Sequence, residues 1–510
     1  MLDPRSYDQV VPFKYFAEWL KTQDGGRRLE QEEIRERYED YRREALQRLY
    51  TNFFAGHKDD DWFRERFDPD RRKEYMQLLS VRKTTNLKGY VADLEAGRFD
   101  RLTMTATTEQ VMQHEVNRRD QSSANRLGGG DDDDDAETYC LFIRTVPPSV
   151  SRAILEEELK KQPGFKYLAL SEPRQDKQYH RFGWVRFEKD TDMEKVMDNL
   201  SSLKIDEFQF HFSRHTNSSS AAMRLVPDVA STDERLRHDL KLVREAVRSL
   251  DERTDPSAFH SLELIQKKAK ELSAAAGEQP EVKGDIDAVR RELDLHLEYL
   301  RRVHYYCYYC GHTADNAEDF ARRCAKQHLR RPLQPNGRAA PSGNWTRNLD
   351  NRNDVIIHPL EAERLYKEGG KSLERETDKE LDKHIKQLDE GRFRCLLCTK
   401  LFKGDAFVRK HIRNKHPEAV PESLVREIAF FNNFVREAPH FARSRLAAPW
   451  VGLAPTAAAV AWVVLSGMYG QQYRGRGNPR GQGNNRGDPR AVRSYVDLDA
   501  PAEGEPDFGF

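Results

Sequence analysis

Cysteine is scarce in this chain, and its few cysteines are not spaced as a disulfide framework. Only six of the 510 residues are Cys, and five of them fall at spacings typical of metal ligands. This usage favours a reducing compartment, cytosol or nucleus, over a disulfide-bonded secreted protein. The opening residues, MLDPRSYDQVV, also lack the cationic and then apolar pattern of a secretory signal.

Motifs of catalysis are missing as well. The sequence contains no Walker loop, no HExxH pair and no paired carboxylates in a pocket context. Both candidate metal sites described below offer four protein ligands, which would leave no open position for a catalytic water. We therefore expect a protein that is not an enzyme.

The chain has no net charge and relatively few apolar residues. Lys and Arg together number 85, as do Asp and Glu, and the hydrophobic share is 37% against 33% charged. The charges are segregated along the chain, so the zero sum excludes little. This composition indicates that sizeable parts form solvated helices or disordered linkers.

One apolar run departs from this pattern. Residues 446–473 carry no charge, and 448–468 read APWVGLAPTAAAVAWVVLSGM, long enough to span a bilayer. Two prolines, two glycines, much Ala and an Arg/Gly segment directly afterwards argue against a membrane span. We expect a Pro/Ala-rich linker and no membrane contact, with a membrane span as the alternative.

The segment CLLCTKLFKGDAFVRKHIRNKH has the spacing of a zinc finger. Cys395 and Cys398 are separated by two residues, twelve residues lead to His411, and four more lead to His416. A hairpin would supply two thiolates and one helix face two imidazoles to a tetrahedral Zn²⁺. Such a short unit buries little apolar surface, so the metal would contribute much of its folding free energy. The alternative is two unrelated Cys and His pairs.

The finger is strongly basic. Between 392 and 415 it carries eight Lys or Arg and one acid, Asp405. Such a surface attracts phosphate backbones and acidic peptides alike. A single finger without a tandem array is unsuited to sequence-specific DNA recognition. We expect it to dock RNA or an acidic peptide.

A strand–helix–strand–strand–helix–strand order in residues 137–215, with the closing strand at 208–212, predicts an RRM sandwich. On its sheet, Phe142, Phe182 and Trp184 would form an open stacking platform for unpaired bases, with Arg144 and Arg186 as further RNA-binding candidates. His180 and Arg181 stand where an RNA-binding RRM carries Lys/Arg and then Gly. Packing of this face against a neighbouring helix therefore remains an equal alternative.

A second cluster of metal-ligand type lies in YYCYYCGHTADNAEDFARRCAKQHLR. Cys307 and Cys310 form a CxxC, thirteen residues lead to Cys324, and three more to His328. Three thiolates and one imidazole would close a second structural zinc site, shielded by the neighbouring tyrosines. Reduced cysteines in a small core are the alternative, and His312 is a substitute ligand candidate.

These patterns together predict an α+β protein. It would be a mostly helical scaffold with an inserted RRM-like αβ sandwich, a zinc finger of two Cys and two His, a second zinc site and a disordered C-terminal tail. The predicted segments are 1–112 (helical), 113–136 (acidic/Gly linker), 137–215 (RRM-like), 216–331 (helices and second zinc site), 332–358 (loop), 359–440 (a long helix to 388, the finger and a following helix) and 441–510 (Arg/Gly tail).

Several stretches resemble the Serrate, or arsenite-resistance-protein, family of nuclear RNA effectors. They are LFIRTVPPSVSRAILEEELKKQPGFKYLALSEP with FGWVRF, FKGDAFVRKHIRNKHPE with AFFNNFVREA, and the terminal RGDPRAVRSYVDLDAP. The resemblance covers most of residues 1–440 and the last twenty-five or so. The CxxC at Cys307 is similar to the fungal branch.

The resemblance implies a nuclear, non-enzymatic adaptor, which we expect to be a monomer. It would link the nuclear cap-binding complex on capped RNA to effectors of decay, termination, small-RNA processing or silencing. Five basic residues match the family's finger, where effector proteins with short acidic motifs would dock: Lys403, Arg409, Lys410, Arg413 and Lys415. The cap-binding complex would bind the tail at Arg486, Arg490, Tyr495, Leu498 and Asp499. An RRM-based regulator that binds single-stranded RNA is the alternative function.

Overall fold

A computed structural model describes residues 1–23, 29–120, 139–173, 177–215, 224–254, 260–275, 286–324, 326–333 and 344–437. The predicted tail, its five cap-binding residues and the apolar run at 448–468 lie outside these residues. The described part is mostly helical with small sheets, which confirms the predicted α+β class. No helix in this part is long and apolar enough to cross a membrane.

The helices are α1 (Phe13–Gln23), α2 (Gln31–His57), α3 (Asp61–Phe67), α4 (Pro69–Glu95), α5 (Thr108–Asp120), α6 (Arg152–Lys160), α7 (Met193–Leu200), α8 (Asp233–Thr254), α9 (Ser261–Ala275), α10 (Ile286–His304), α11 (Ala317–Cys324), α12 (Trp345–Ile357), α13 (Ala362–Lys367), α14 (Leu373–Asp382), α15 (Asp405–Lys415) and α16 (Glu422–Glu437). The strands are β1 (Cys140–Val146), β2 (Phe165–Leu170), β3 (Arg181–Phe187), β4 (Lys204–Ile205), β5 (Phe208–Gln209), β6 (Phe212–Arg214), β7 (Arg224–Val226), β8 (Tyr306–Cys307), β9 (His312–Thr313), β10 (His328–Arg330), β11 (Ile385–Asp389), β12 (Arg392–Cys395) and β13 (Leu401–Phe402).

The RRM-like unit is a four-stranded sheet in the order β2-β3-β1-β6, with antiparallel neighbours. Alternation along β1 and β3 sends Leu141, Ile143 and Val185 into a core covered by α6 and α7. Ser151 and Asp192 cap these helices by accepting bonds from the amides of Ile154 and Lys195. The predicted element order is therefore present.

The last strand of this sheet differs from the prediction of 208–212. Residues 208–209 pair with β4 in a short hairpin at Asp206 (φ +53°), and Phe212–Arg214 pairs with β1 instead. Residues 208–209, which hydrophobic alternation alone placed in the four-stranded sheet, form this hairpin instead. Pairing depended on a local turn that the hydrophobic pattern does not encode.

Helix α10 is the centre of the helical layer. Every side chain from Leu293 to Leu300 is buried, and α4, α8 and α9 pack around it. Its buried carboxylate, Asp294, is satisfied within the core: it pairs with the guanidinium of Arg330 and accepts a bond from the amide of Met104 (2.9 Å). Such pairing is what makes burial of a carboxylate tolerable.

Packing crosses several of the predicted boundaries. Leu87, Tyr90 and Leu94 of α4 belong to the same core as α8–α10, whereas α2 and α3 pack their aromatic side chains against Phe431 and Phe434 of α16. Residues 1–446 form one compact unit. The seven-segment division stays a prediction, but its first segment contributes to three cores, two of which it shares with later segments.

Two helix predictions were wrong. Residues 113–120 of the predicted linker continue α5, in a stretch without Gly or Pro. The single long helix predicted for 359–388 is instead α13, α14 and the start of β11. The break lies at Gly369 (φ +91°), where an added Cβ would stand 2.9 Å from the backbone nitrogen of Gln47. Only glycine fits that close approach to α2.

Candidate metal centres and docking surfaces

The four finger residues converge as the spacing predicts. Cys395 ends β12, Cys398 lies in the turn that follows, His411 stands on α15 and His416 caps that helix. The turn is held by the amide of Cys395 bonding to the Lys400 carbonyl (2.9 Å). One ligand atom from each residue lies within 4.8 Å of the others. The set can hold a metal ion.

The chemistry of the finger donors fits zinc. The Sγ of Cys398 is 3.0 Å from Nε2 of His411, so the thiolate and the imidazole are near enough to bind one ion. Nε2 of His416 is buried and has no hydrogen-bond partner in the described part of the chain, while its Nδ1 lies 3.2 Å from Glu418. A carboxylate at the second ring nitrogen is a usual support for a metal-binding His.

The second cluster also converges. Cys307 ends β8, Cys310 lies in the next turn, Cys324 ends α11 and His328 begins β10, and their ligand atoms lie within 4.8 Å of each other. Nδ1 of His328 is 3.3 Å from Sγ of Cys307 and 3.8 Å from Sγ of Cys324. These four residues can hold a second metal ion.

The surroundings of this second cluster fit a set of thiolates. Arg301 of α10 donates to both Sγ and the carbonyl oxygen of Cys324 (3.0 Å each), and a guanidinium stabilises the ionised thiol that zinc requires. Tyr306, Tyr308 and Tyr309 are buried around it, as the predicted shield requires. The ring of His312 stacks on Phe320 and lies outside the four-residue cluster.

Two of the five predicted docking residues are engaged within the chain. Arg409 pairs with Asp405 (2.6 Å) and Asp382, and Arg413 pairs with Asp378 (2.5 Å). Asp378 and Asp382 belong to α14 and hold the finger helix against it, whereas Asp405 lies on the finger helix itself. Lys403, Lys410 and Lys415 remain exposed.

Exposed apolar side chains on the finger were missed by the sequence analysis. Phe407 is 65% exposed and Leu401 is 53% exposed, and Leu396 and Leu397 of the CxxC turn are also exposed. The signal was present, because two leucines between metal-binding cysteines cannot both enter so small a core. Clustered exposed apolar side chains usually mark an interaction surface.

The RRM-like sheet does not present the open three-ring platform that was predicted. Trp184 is only 1% exposed, and Phe142 and Phe182 are half-buried. The correction follows from α11, which lies over this face: Arg322 stacks on the Phe182 ring (5.0 Å), and Glu318 pairs with Arg186 (3.1 Å). Packing against a neighbouring helix, the alternative interpretation, is what the structure shows; Arg144 remains exposed.

Further polar contacts fix α11 on the sheet. The hydroxyl of Tyr167 on β2 donates to Glu318 (2.8 Å), and Asn316 donates to the Leu170 carbonyl (2.9 Å). Burial, followed by the charge of Glu318, raises the pKa of Tyr167. The hydroxyl thus stays protonated and keeps donating at physiological pH.

Three family models of related description match this chain. "SERRATE/Ars2, N-terminal domain" matches residues 17–123, "Serrate RNA effector molecule homolog, RNA-recognition domain" matches 136–214, and "Arsenite-resistance protein 2" matches 330–504. A fourth, "Domain of unknown function (DUF4187)", matches 285–328, the region of the second cluster.

Relatives with the same name occur in animals. The chain is 29% identical over 455 residues to "Serrate RNA effector molecule homolog" of Homo sapiens, covering 72% of this chain and 52% of the relative. It is 24% identical over 558 residues to the Caenorhabditis elegans homolog, covering 85% and 77%. The chain spans about half the length of the vertebrate relatives it matches.

A solved structure described as "Molecular insights into miRNA processing by Arabidopsis Serrate" aligns over 83% of this chain and 97% of that one. Its sequence identity is 16% and its TM-score is 0.28. The assignment rests instead on the family models, which follow one another along the chain in family order. This chain belongs to the Serrate/arsenite-resistance protein 2 family of RNA effector molecules.

Proposed function

We propose that the protein is a non-enzymatic nuclear adaptor that links the cap-binding complex on capped RNA to proteins that decide the fate of that RNA. The observation that supports it most is the finger surface, where lysines and apolar side chains are exposed side by side. The names of the relatives as RNA effector molecules agree with a role in RNA metabolism. No step of chemistry on the RNA is assigned to the chain itself.

The finger is proposed to dock short acidic segments of effector proteins. Lys403, Lys410 and Lys415 would attract carboxylates, and Leu401 and Phe407 would take apolar side chains of the same segment. Leucines favour a peptide over RNA here, because bases stack on aromatic rings and guanidinium planes. Arg409 and Arg413 would position the finger helix through α14 and contact the peptide less.

Two zinc ions are proposed to hold the finger and the second cluster. Cys395, Cys398, His411 and His416 would bind one, and Cys307, Cys310, Cys324 and His328 the other. Four protein ligands close each coordination sphere, so the ions would stabilise folding. Metal analysis of the purified full chain should find two zinc ions. A value of one or none would support the alternative of reduced cysteines.

The tail is proposed to bind the cap-binding complex through Arg486, Arg490, Tyr495, Leu498 and Asp499. These residues were assigned from the family resemblance, and the tail is basic first and acidic afterwards. Removing 486–510 should abolish recovery of the cap-binding complex in a pull-down. Unchanged recovery would contradict this assignment.

The peptide surface can be tested with the full chain and a synthetic peptide of alternating acidic and aliphatic residues. The double variant Lys403→Glu/Lys410→Glu should weaken binding roughly tenfold, because two exposed attractions become repulsions. Phe407→Ser should weaken it by a similar factor through lost apolar contact. The matched control is Lys160→Glu/Lys195→Glu on the RRM-like helices, which should change nothing. Equal losses in both double variants would contradict a specific surface.

The alternative, an RNA regulator acting through the RRM-like sheet, is less favoured. Its central ring, Trp184, is covered, and base stacking would require displacement of α11. If the alternative holds, Phe142→Ala should lower affinity for single-stranded RNA by roughly 1–3 kcal/mol. Unchanged RNA affinity would contradict this alternative function.

A further inference from the structure

A basic groove lies between α8, α9 and α10, away from both metal clusters. Its volume is about 480 Å³, and five basic and two acidic residues line it. The side chains of Arg237, Lys241, Arg244 and Arg248 recur along one face of α8 at intervals of four, three and four residues. The row extends over twelve residues of helix, which is about 16 Å from the first to the last. Lys270 of α9 faces the same groove.

Most of this charge has no ion-pair partner among the residues that the structure describes. Arg244 is neutralised by Glu292, whose Oε1 accepts from its Nε at 2.8 Å. Arg237, Lys241, Arg248 and Lys270 are exposed, and none of them forms an ion pair with any residue that the structure describes. Glu245 also lines the groove, so four cations face one remaining carboxylate, and a polyanion would neutralise the excess positive charge held on these packed helices.

The floor of the groove indicates which kind of anion it fits. Leu240, Ala269 and Ala288 are buried there, and none of the described residues that line it is aromatic. These residues therefore offer bases no ring on which to stack, and they include no exposed leucine of the kind found on the finger. Guanidinium groups match the geometry of phosphate oxygens. The lining thus favours the backbone of a nucleic acid over bases and over an acidic, apolar peptide.

We propose that this groove binds the phosphate backbone of single-stranded RNA without regard to sequence. It supplies the RNA contact that the covered RRM-like sheet does not. The choice of RNA over DNA rests on the proposed function, whereas the phosphate contact rests on the groove alone. Backbone contacts position a nucleic acid and carry no base specificity.

The test is binding of a fluorescent 20-nucleotide oligouridine to the full chain at several salt concentrations. The variant Arg237→Gln/Lys241→Gln/Arg248→Gln should flatten the slope of log K against log salt by about 2, since each phosphate contact on a single strand contributes about 0.7. At 0.1 M salt the same rule gives a loss of affinity of roughly 100-fold. All three side chains are exposed, so the thermal unfolding midpoint should stay within error.

The matched control removes three charges elsewhere: Lys160→Gln/Lys195→Gln/Lys204→Gln, all exposed on the RRM-like unit away from the groove. It should leave the salt slope within 0.7 of wild type. Equal losses in the two triple variants would overturn the proposal, because net charge alone would then explain binding. A loss caused by Phe142→Ala and not by the groove variant would also overturn it.

Two further measurements distinguish RNA from an acidic peptide as the ligand of the groove, and distinguish this proposal from the adaptor proposal for the finger. Loss of the acidic peptide with retention of oligouridine in the groove variant would make the groove a protein-docking site and overturn the RNA assignment. The finger variant Lys403→Glu/Lys410→Glu should lose the peptide and keep RNA binding. Failure of that variant to lose the peptide would contradict the adaptor proposal and leave the groove supported.

Discussion

The two Cys/His clusters have the same number of ligands and lie in very different surroundings. Cys307 and Cys324 belong to the core shared by α4, α8, α9, α10 and α12, whereas the finger has a small core of its own built on Leu381, Cys395, Val408 and Ile412. A large core does not depend on a single metal site in order to fold, but a change in its packing affects many neighbouring residues. A small satellite core depends on its metal and can open alone. We therefore expect the cluster at Cys307 to stabilise the helical scaffold, and the finger cluster to hold the docking surface in place.

The largest expected effect comes from removing a ligand of the buried cluster. Cys324→Ser should lower the free energy of unfolding by roughly 3–5 kcal/mol, because it leaves the guanidinium of Arg301 buried beside a lost thiolate. Chemical denaturation followed by circular dichroism measures it. An unchanged midpoint would remove the distinction between the two clusters.

Acid should destabilise the helical core through two buried histidines. Burial lowers the pKa of His296 and of His304 to about 4, against 6.5 for an exposed imidazole. Between those values the unfolded chain binds more protons than the folded one. Stability is therefore full above about pH 6.5 and is lost as pH falls toward 4, by about 1.4 kcal/mol per pH unit for each histidine.

The variant His296→Leu isolates this effect from metal loss, since wild type and variant would both lose the proposed zinc ions over the same pH range. Denaturation at pH 7 and pH 5 should show a smaller loss of stability in the variant than in wild type. Parallel losses would show that His296 does not contribute. The finger, with both of its histidines assigned to the metal, should not add to this difference.

A moderate effect is expected where the finger meets the rest of the chain. Arg409 joins α15 to Asp382 and to the carbonyl of Asp378 on α14. Arg409→Ala should destabilise the finger by about 1 kcal/mol, the upper end for partly exposed pairs. Amide hydrogen exchange in residues 405–415 would report it. The control is Lys410→Ala. This side chain is exposed, so its removal should leave amide hydrogen exchange in residues 405–415 unchanged.

The smallest effect on the scaffold is expected from the finger itself. Cys398→Ser should release its metal and unprotect amides in 385–416, yet change the main unfolding transition by less than about 0.5 kcal/mol. Binding of the acidic peptide should be lost with it. A large shift of the main transition would show that the two cores unfold together.

The contrast between the RRM-like sheet and the groove shows where sequence analysis stops. Alternation along β1 and β3 placed Phe142, Phe182 and Trp184 on one face, and the structure places them there. Alternation within a strand does not predict what covers that face, because α11 is more than a hundred residues away in the sequence. The groove was missed for a related reason: four of its five basic residues follow one another on α8, but the groove exists only where α9 and α10 pack beside that helix.

The finger shows both what the sequence predicts and what it does not predict. Its ligands converge as predicted from spacing, because a CxxC turn and one helix face impose their own geometry. Its basic surface was predicted as a whole, but Arg409 and Arg413 turned out to face the acids of α14. A count of charges does not reveal which of them are already paired.

The sequence alone determined the α+β class, the two ligand sets and the order of elements in the RRM-like unit. Those features are set by local periodicity and by short spacings, which act over one or two elements. Only the tertiary structure decided that α11 covers the sheet, that α4 joins the helical core and that four cations of α8 and α9 lie in one groove with no ion-pair partner in the described part of the chain. Such features depend on contacts between distant segments, where burial and ion pairing are decided by neighbours that no local pattern specifies.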